Sequence, residues 1–182
     1  MEFIINRRKI GENYDPFIIA EISANHNGNI DIAKQTILAA KKYGADAVKL
    51  QTYTPDTMTI DCNSDEFLIR DGLWEGNNLY ELYKEAYTPF EWHEELFSLA
   101  KDNDITCFST PFDESAIELL ESLDAPAYKV ASFEVTDLTL LKNIASTKKP
   151  VIMSTGMANI EEIDEAVEVL LSNGASSLAI LH

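Results

Sequence analysis

Three short stretches hold polar residues where an apolar strand is expected. "AVKLQT" (47–52) carries Lys49 and Gln51, "AYKVAS" (127–132) carries Lys129 and Ser132, and "FIIAEI" (17–22) carries Glu21. Side chains alternate across a strand. Lys49 and Gln51 therefore share one face, with Val48 and Leu50 on the other, and Lys129 shares its face with Ala127 and Ala131. Phe17, Ile19 and Glu21 form a third such row. A buried ammonium without a partner is costly, so each lysine must pair with a carboxylate or serve a bound anion. An internal salt bridge, for instance between Lys129 and Glu21, is one solution. Hydroxyls at neighbouring strand ends, in Ser109-Thr110, Ser132 and Ser154-Thr155, favour the other, because phosphate binding needs converging ammonium and hydroxyl groups. Glu134, just past its strand, suits a general acid or base or a group that orients water. It suits equally a helix-start acid, since Thr136 and Asp137 follow.

These residues need strands that end together. Six short β-rich runs recur: "FIIAEI", "AVKLQT", "TCFST" (106–110), "AYKVAS", "VIMST" (151–155) and "LAILH" (178–182). Between them lie segments of helical period with recognisable ends. Asn29 is placed to cap a helix that stops at Gly44, Asp113 to cap "ESAIELLESL", and Thr136 or Asp137 to open "LTLLKNIAST". Asn159 with Glu162 brackets "IEEIDEAVEVLLSN", and Thr88-Pro89-Phe90-Glu91 reads as a capping box with proline at the first helical position. Alternating strands and helices make an α/β fold of parallel βα units. The last four strands start roughly 20 to 30 residues apart, a usual repeat for such units. The connection 53–87 is much longer, the length of a lid or specificity insert, or of a peripheral packing flap. Two architectures use the alternation, an open doubly wound sheet and a closed (β/α)8 barrel. "AEISANHNGN" after the first strand has no G-x-G-x-x-G, so a dinucleotide site is unsupported. Polar strand ends mark a site in either architecture.

The chain has 182 residues, room for one domain, 1–182, with a sizeable core. A formal net charge of −17 opposes nucleic acid and anionic lipid surfaces, so neither is expected as a partner. An anionic ligand must then be held by a few placed cations. No signal-peptide run or membrane-length apolar stretch occurs, and a cytoplasmic location is the default expectation. Cys62 and Cys107 form no metal or redox spacing, and Cys107 reads as a small core residue. His26, His93 and His182 form no metal-ligand spacing, and a lone loop histidine such as His26 is more often a hydrogen-bonding structural residue.

"FIIAEISANHNGNIDIAK", "GADAVKLQTYTPDTMT", "CFSTPFDESAIELL", "AYKVASFE" and "PVIMSTGMA" together resemble the sialic acid (nonulosonic acid) synthase family, over nearly the whole chain and in order. The wording of the insert is most similar to the family's pseudaminic acid branch. The resemblance implies a (β/α)8 TIM-barrel fold, of which about six βα units are present. It implies condensation of phosphoenolpyruvate with an amino sugar, here a 2,4-diacetamido-trideoxy hexose, to a nonulosonic acid. N-acetylneuraminate or legionaminate synthesis is the alternative within the family, and a non-catalytic barrel fragment the alternative outside it. By motif, Lys49, Thr110, Lys129, Ser132 and Ser154 correspond to phosphoenolpyruvate ligands, Gln51 to a sugar contact, and Glu21 and Glu134 to catalytic carboxylates. The family uses a divalent metal, manganese or magnesium, held by histidines of the seventh and eighth strands, which this chain does not include. No metal ligand is therefore expected among its own residues, and the chain alone is expected to be inactive. Members usually carry a C-terminal antifreeze-like domain that reaches a partner subunit, so a homodimer is expected of the full-length protein.

Overall fold

The computed structural model describes residues 3–72 and 74–182. It begins with an antiparallel hairpin of β1 (Phe3–Ile5) and β2 (Arg8–Ile10), which the sequence did not announce. Its turn places Asn6 and Arg7 at φ 45° and 69°, the left-handed pair of a two-residue hairpin turn, without the Asn-Gly signal that usually marks one.

All six runs anticipated as strands form, at somewhat different lengths. They are β3 (Ile19–Glu21), β4 (Ala47–Thr52), β5 (Thr106–Pro111), β6 (Tyr128–Val130), β7 (Val151–Ser154) and β8 (Leu178–Leu181). Every neighbouring pair is parallel, and the order in the sheet is the order in the chain. A doubly wound sheet reverses its strand order at a switch point. This one never reverses, so right-handed crossovers carry every connecting helix to the same side. The fold is of the (β/α)8-barrel type, an arc of six strands.

The helices are α1 (Ile30–Lys42), α2 (Pro55–Met58), α3 (Leu79–Ala86), α4 (Phe90–Asp102), α5 (Glu114–Ser122), α6 (Leu138–Ser146) and α7 (Ile160–Ser172). Asn29, Asp113 and Asp137 accept backbone N–H bonds at the starts of α1, α5 and α6. Asn159 and Glu162 form the reciprocal capping box of α7. The box anticipated at Thr88 does not form. Pro89 occupies the cap position of α4 with no side-chain cap bond, because the Thr88 hydroxyl is engaged by His26. Within 53–87, α2 and α3 are tied by a Tyr80 hydroxyl bond to Asp56 Oδ1 of 3.1 Å, and Asn78 caps α3.

Strand alternation divides the core. Val48 and Leu50 of β4 pack with Ile37 of α1 and Leu96 of α4, and Tyr128, Val130 and Met153 pack with Leu141 of α6 and Leu170 of α7. The inward face has its own cluster at the N-terminal end of the strands, Ala47, Phe108, Ala127 and Ile152, against which Ile5 of the hairpin is buried. The floor of the arc is thus apolar and plugged by β1–β2. Leu141 is fully buried in the α6 layer. Leu141→Ala is expected to lower unfolding free energy by about 2–5 kcal/mol in urea titration, the range for deleting a buried leucine side chain. A loss below about 1 kcal/mol would show that the layer is not packed as described.

Candidate functional site

Above that floor the inward face turns polar. The register aligns Glu21 with Lys49, and Gln51 with Thr110. The Lys49 ammonium pairs with the Glu21 carboxylate and lies 3.4 Å from Thr110 Oγ1. The internal salt bridge considered for Lys129 with Glu21 is therefore made by Lys49, because β3 and β4 are adjacent while β6 lies two strands further round. Glu21 is exposed and Lys49 half-buried, so the pair sits at the rim of the strand ends.

Lys129 is buried. Its Nζ donates to Ser154 Oγ of β7 at 2.7 Å and to the Val130 carbonyl at 2.5 Å, and among the described residues no carboxylate lies within ion-pair distance. Burial first, then the neighbouring Lys49 ammonium, push its pKa down to about 8, against the pull of Glu21 and Glu134. Strand alternation puts Lys49 on the face of Ala47 and Lys129 on the face of Ala127, so both lysines lie on the inward side of the sheet. A hydroxyl and a carbonyl oxygen stabilise this ammonium less than an anion would.

The sixth-strand region departs from expectation. The anticipated strand 127–132 ends at Val130, and Ser132–Thr136 form a 3-10 turn. Ser132 packs against Gly156, whose φ of +43° turns the loop after β7 toward it. Glu134 is half-buried within the turn, and its Oε2 is buried with no hydrogen-bond partner. Burial raises its pKa, with Lys129 opposing. A carboxyl whose pKa is raised beside a cation is suited to proton transfer. Gln51, half-buried, makes no side-chain hydrogen bond among the described residues.

An aromatic wall stands beside this carboxyl. Tyr53, buried just past β4, meets Phe112 edge-on at 5.4 Å and Tyr83 of α3 at 5.7 Å. Burial pushes Tyr53 up to about 12, and burial together with Glu134 raises Tyr83. The insert helix thus delivers a side chain to the same mouth. Only its spacing of Tyr80, Tyr83 and Tyr87 on one helical stretch hinted at this. A concavity of about 620 Å³ lies elsewhere, at the N-terminal end of the strands near Arg8, Asp46 and Thr106. Barrel enzymes build their sites at the opposite end, where the buried cation lies.

Among the described residues no three His, Cys, Asp or Glu side chains gather as metal ligands. These residues do not fit a divalent ion on their own. No helix among them is long and apolar enough to cross a membrane.

Unreversed parallel strands with cations and hydroxyls at their C-terminal ends define a (β/α)-barrel scaffold of the enzyme type. The chain belongs to the NeuB family, whose model matches residues 36–182. It is 52% identical over 154 residues to a pseudaminic acid synthase of Helicobacter pylori, covering 85% of this chain and 45% of that one. It is 47% identical over 165 residues to a pseudaminic acid synthase of Campylobacter jejuni, covering 91% of this chain and 48% of that one. The chain thus spans about half the length of these curated relatives. The crystal structure of N-acetylneuraminic acid synthetase from Leptospira borgpetersenii superposes with a TM-score of 0.85 at 28% identity, over 100% of this chain and 59% of that one.

An added Cβ at Gly156 would lie 2.4 Å from Ser132 Cβ. Gly156→Ala is therefore expected to displace the turn that carries Ser132 and Glu134 and to lower stability by about 1–3 kcal/mol. Amide resonances of Ser132–Thr136 should move in a two-dimensional NMR spectrum. An unmoved turn would contradict the contact.

Proposed function

We propose that this chain is the phosphoenolpyruvate-binding part of a pseudaminic acid synthase, which condenses phosphoenolpyruvate with a 2,4-diacetamido-trideoxy hexose. The observation that carries this reading is the buried Lys129 ammonium, held by Ser154 and a carbonyl oxygen, with Lys49 on the same side of the sheet. Two cations in a chain of net charge −17 need a reason to be gathered at one cavity, and a multiply charged anion supplies it. The 47–52% identity to pseudaminic acid synthases supports the choice of sugar.

On this reading Lys129, Lys49, Thr110, Ser132 and Ser154 bind the phosphate and carboxylate of phosphoenolpyruvate. Lys49 exchanges part of its bond to Glu21 for the ligand. The enol carbon attacks the sugar aldehyde, forming the new carbon–carbon bond and an oxocarbenium carbon. Water adds there, and phosphate leaves with cleavage of its carbon–oxygen bond. Glu134 takes the water's proton, a role its raised pKa supports. Gln51 and the Tyr53–Tyr83 wall face the sugar, with Glu21 beside its polar groups. The full-length protein, given manganese, phosphoenolpyruvate and the diacetamido sugar, should release inorganic phosphate in step with sugar consumption. Turnover with N-acetylmannosamine alone would move the assignment to the neuraminate branch, and no sugar-dependent release would end it.

Lys129→Ala is expected to weaken phosphoenolpyruvate binding about tenfold or more by calorimetry, as loss of a charge-assisted hydrogen bond should. Unchanged affinity in a folded variant would rule out the ligand assignment. The pH dependence has a definite sign. With its pKa lowered to about 8, Lys129 is charged below that pH and neutral above it. Affinity should fall as pH rises through about 8. Near and above that pH, binding the anion should draw a proton onto the amine. Binding enthalpies in buffers of different ionisation heat measure this uptake, and proton release would contradict the assignment.

A further inference from the structure

The five least exposed polar side chains of the described residues belong to one frame around the start of α4, and none has a role in the proposed chemistry. Thr52, His93 and Ser109 are 0% exposed, and His26 and Thr88 1%. His93, on α4, accepts or donates at Thr52 Oγ1 at 2.8 Å through Nε2, and Thr52 Oγ1 lies 2.6 Å from Ser109 Oγ. The other ring nitrogen, Nδ1, lies 3.0 Å from the Pro89 carbonyl, which can only accept. His93 therefore carries its proton on Nδ1. Buried and facing two neutral partners, the ring leaves Nε2 as an acceptor, so the Thr52 hydroxyl donates to it and the Ser109 hydroxyl donates to Thr52.

His26 shows the reverse arrangement. Its Nδ1 accepts from the Gly28 backbone N–H at 3.1 Å, which leaves the proton on Nε2 to be donated to Thr88 Oγ1 at 3.1 Å. The ring also meets Trp92 of α4 edge-on at 5.4 Å. Burial lowers the pKa of both histidines, in keeping with neutral rings.

We propose that His26 and His93 are positioning residues, two neutral imidazoles of opposite tautomer that fasten the start of α4 to the strand ends carrying the candidate site. His93, through Thr52 and Ser109, holds β4 and β5 at the residues adjoining Gln51 and Thr110. His26 holds the loop that follows Glu21. The start of α4 is also where the 53–87 segment rejoins the barrel, so one junction sets both the strand ends and the insert that brings Tyr83 to them. Thr52 and Ser109 face the helices while Gln51 and Thr110 face the cavity, so the frame touches no ligand and acts only through placement. Its effect on ligand affinity rests on the function proposed above, and the tautomers do not.

Long-range proton–nitrogen NMR of histidine-labelled protein near neutral pH should show His93 as the Nδ1–H form and His26 as the Nε2–H form. Averaged tautomers or an imidazolium at either position would overturn the proposal. Thr52→Val keeps the shape of the side chain but removes both of its bonds. It should shift the His93 Nε2 resonance and the Gln51 and Thr110 resonances, and weaken phosphoenolpyruvate binding about tenfold without loss of cooperative unfolding. Thr52→Ser should restore all of these. A Thr52→Val protein with unmoved Gln51 and Thr110 resonances overturns the proposal, as does one with wild-type affinity. If the wild-type protein binds no phosphoenolpyruvate, the proposed function fails, and the Gln51 and Thr110 resonances alone decide the positioning role.

Discussion

A cation taken out of water must find equivalent stabilisation inside, and much of this fold is arranged around that requirement at Lys129. The ammonium is buried at the mouth of the arc with a serine hydroxyl and a carbonyl as partners. Neither neutralises it, and Lys49 on a nearby strand adds repulsion. A site of this kind is costly when empty and favourable when an anion arrives. Lys49 is the less strained of the two because Glu21 already balances it.

The rest of the molecule makes that mouth possible by keeping the other end dry. Parallel register puts Ala47, Phe108, Ala127 and Ile152 on the inward face near the strand starts, and Ile5 of the hairpin closes over them. The same alternation sends Val48, Leu50, Tyr128 and Val130 outward to the helices. Apart from Thr106, which Asn6 of the hairpin bonds, the inward face turns polar only toward the strand ends, so the transition from apolar floor to charged mouth takes place within a single strand. In β4 it lies between Ala47 and Lys49.

Much of this was legible in the sequence, because strand alternation and cap chemistry are local. The strand 47–52, the caps Asn29, Asp113 and Asn159, and the shared face of Lys49 and Gln51 all follow from residues a few positions apart. What escaped depended on distant partners. Thr88 carries the right residues for a capping box, but its hydroxyl is claimed by His26 from another loop. The carboxylate paired with a lysine was foreseen, yet which lysine takes it depends on strand adjacency. Glu134 was placed past its strand, but its buried, unpartnered oxygen is visible only once the turn is folded. The hairpin 3–10 was missed because its turn lacks glycine.

Strand order in the sheet has a consequence for how the chain assembles. Within the six-stranded sheet each strand from β4 on pairs with the strand made just before it, so units can be added one after another. The exception is the joint between β4 and β5, which carries the longest ladder and spans a connection more than twice the length of any other between neighbouring strands. Loop-closure entropy grows only logarithmically, by about 0.6 kcal/mol per doubling, so the penalty at equilibrium is small. Its weight falls on kinetics instead. The edge of β4 has no partner until residues 106–111 have been made, which makes the β4–β5 seam the joint most dependent on chain closure.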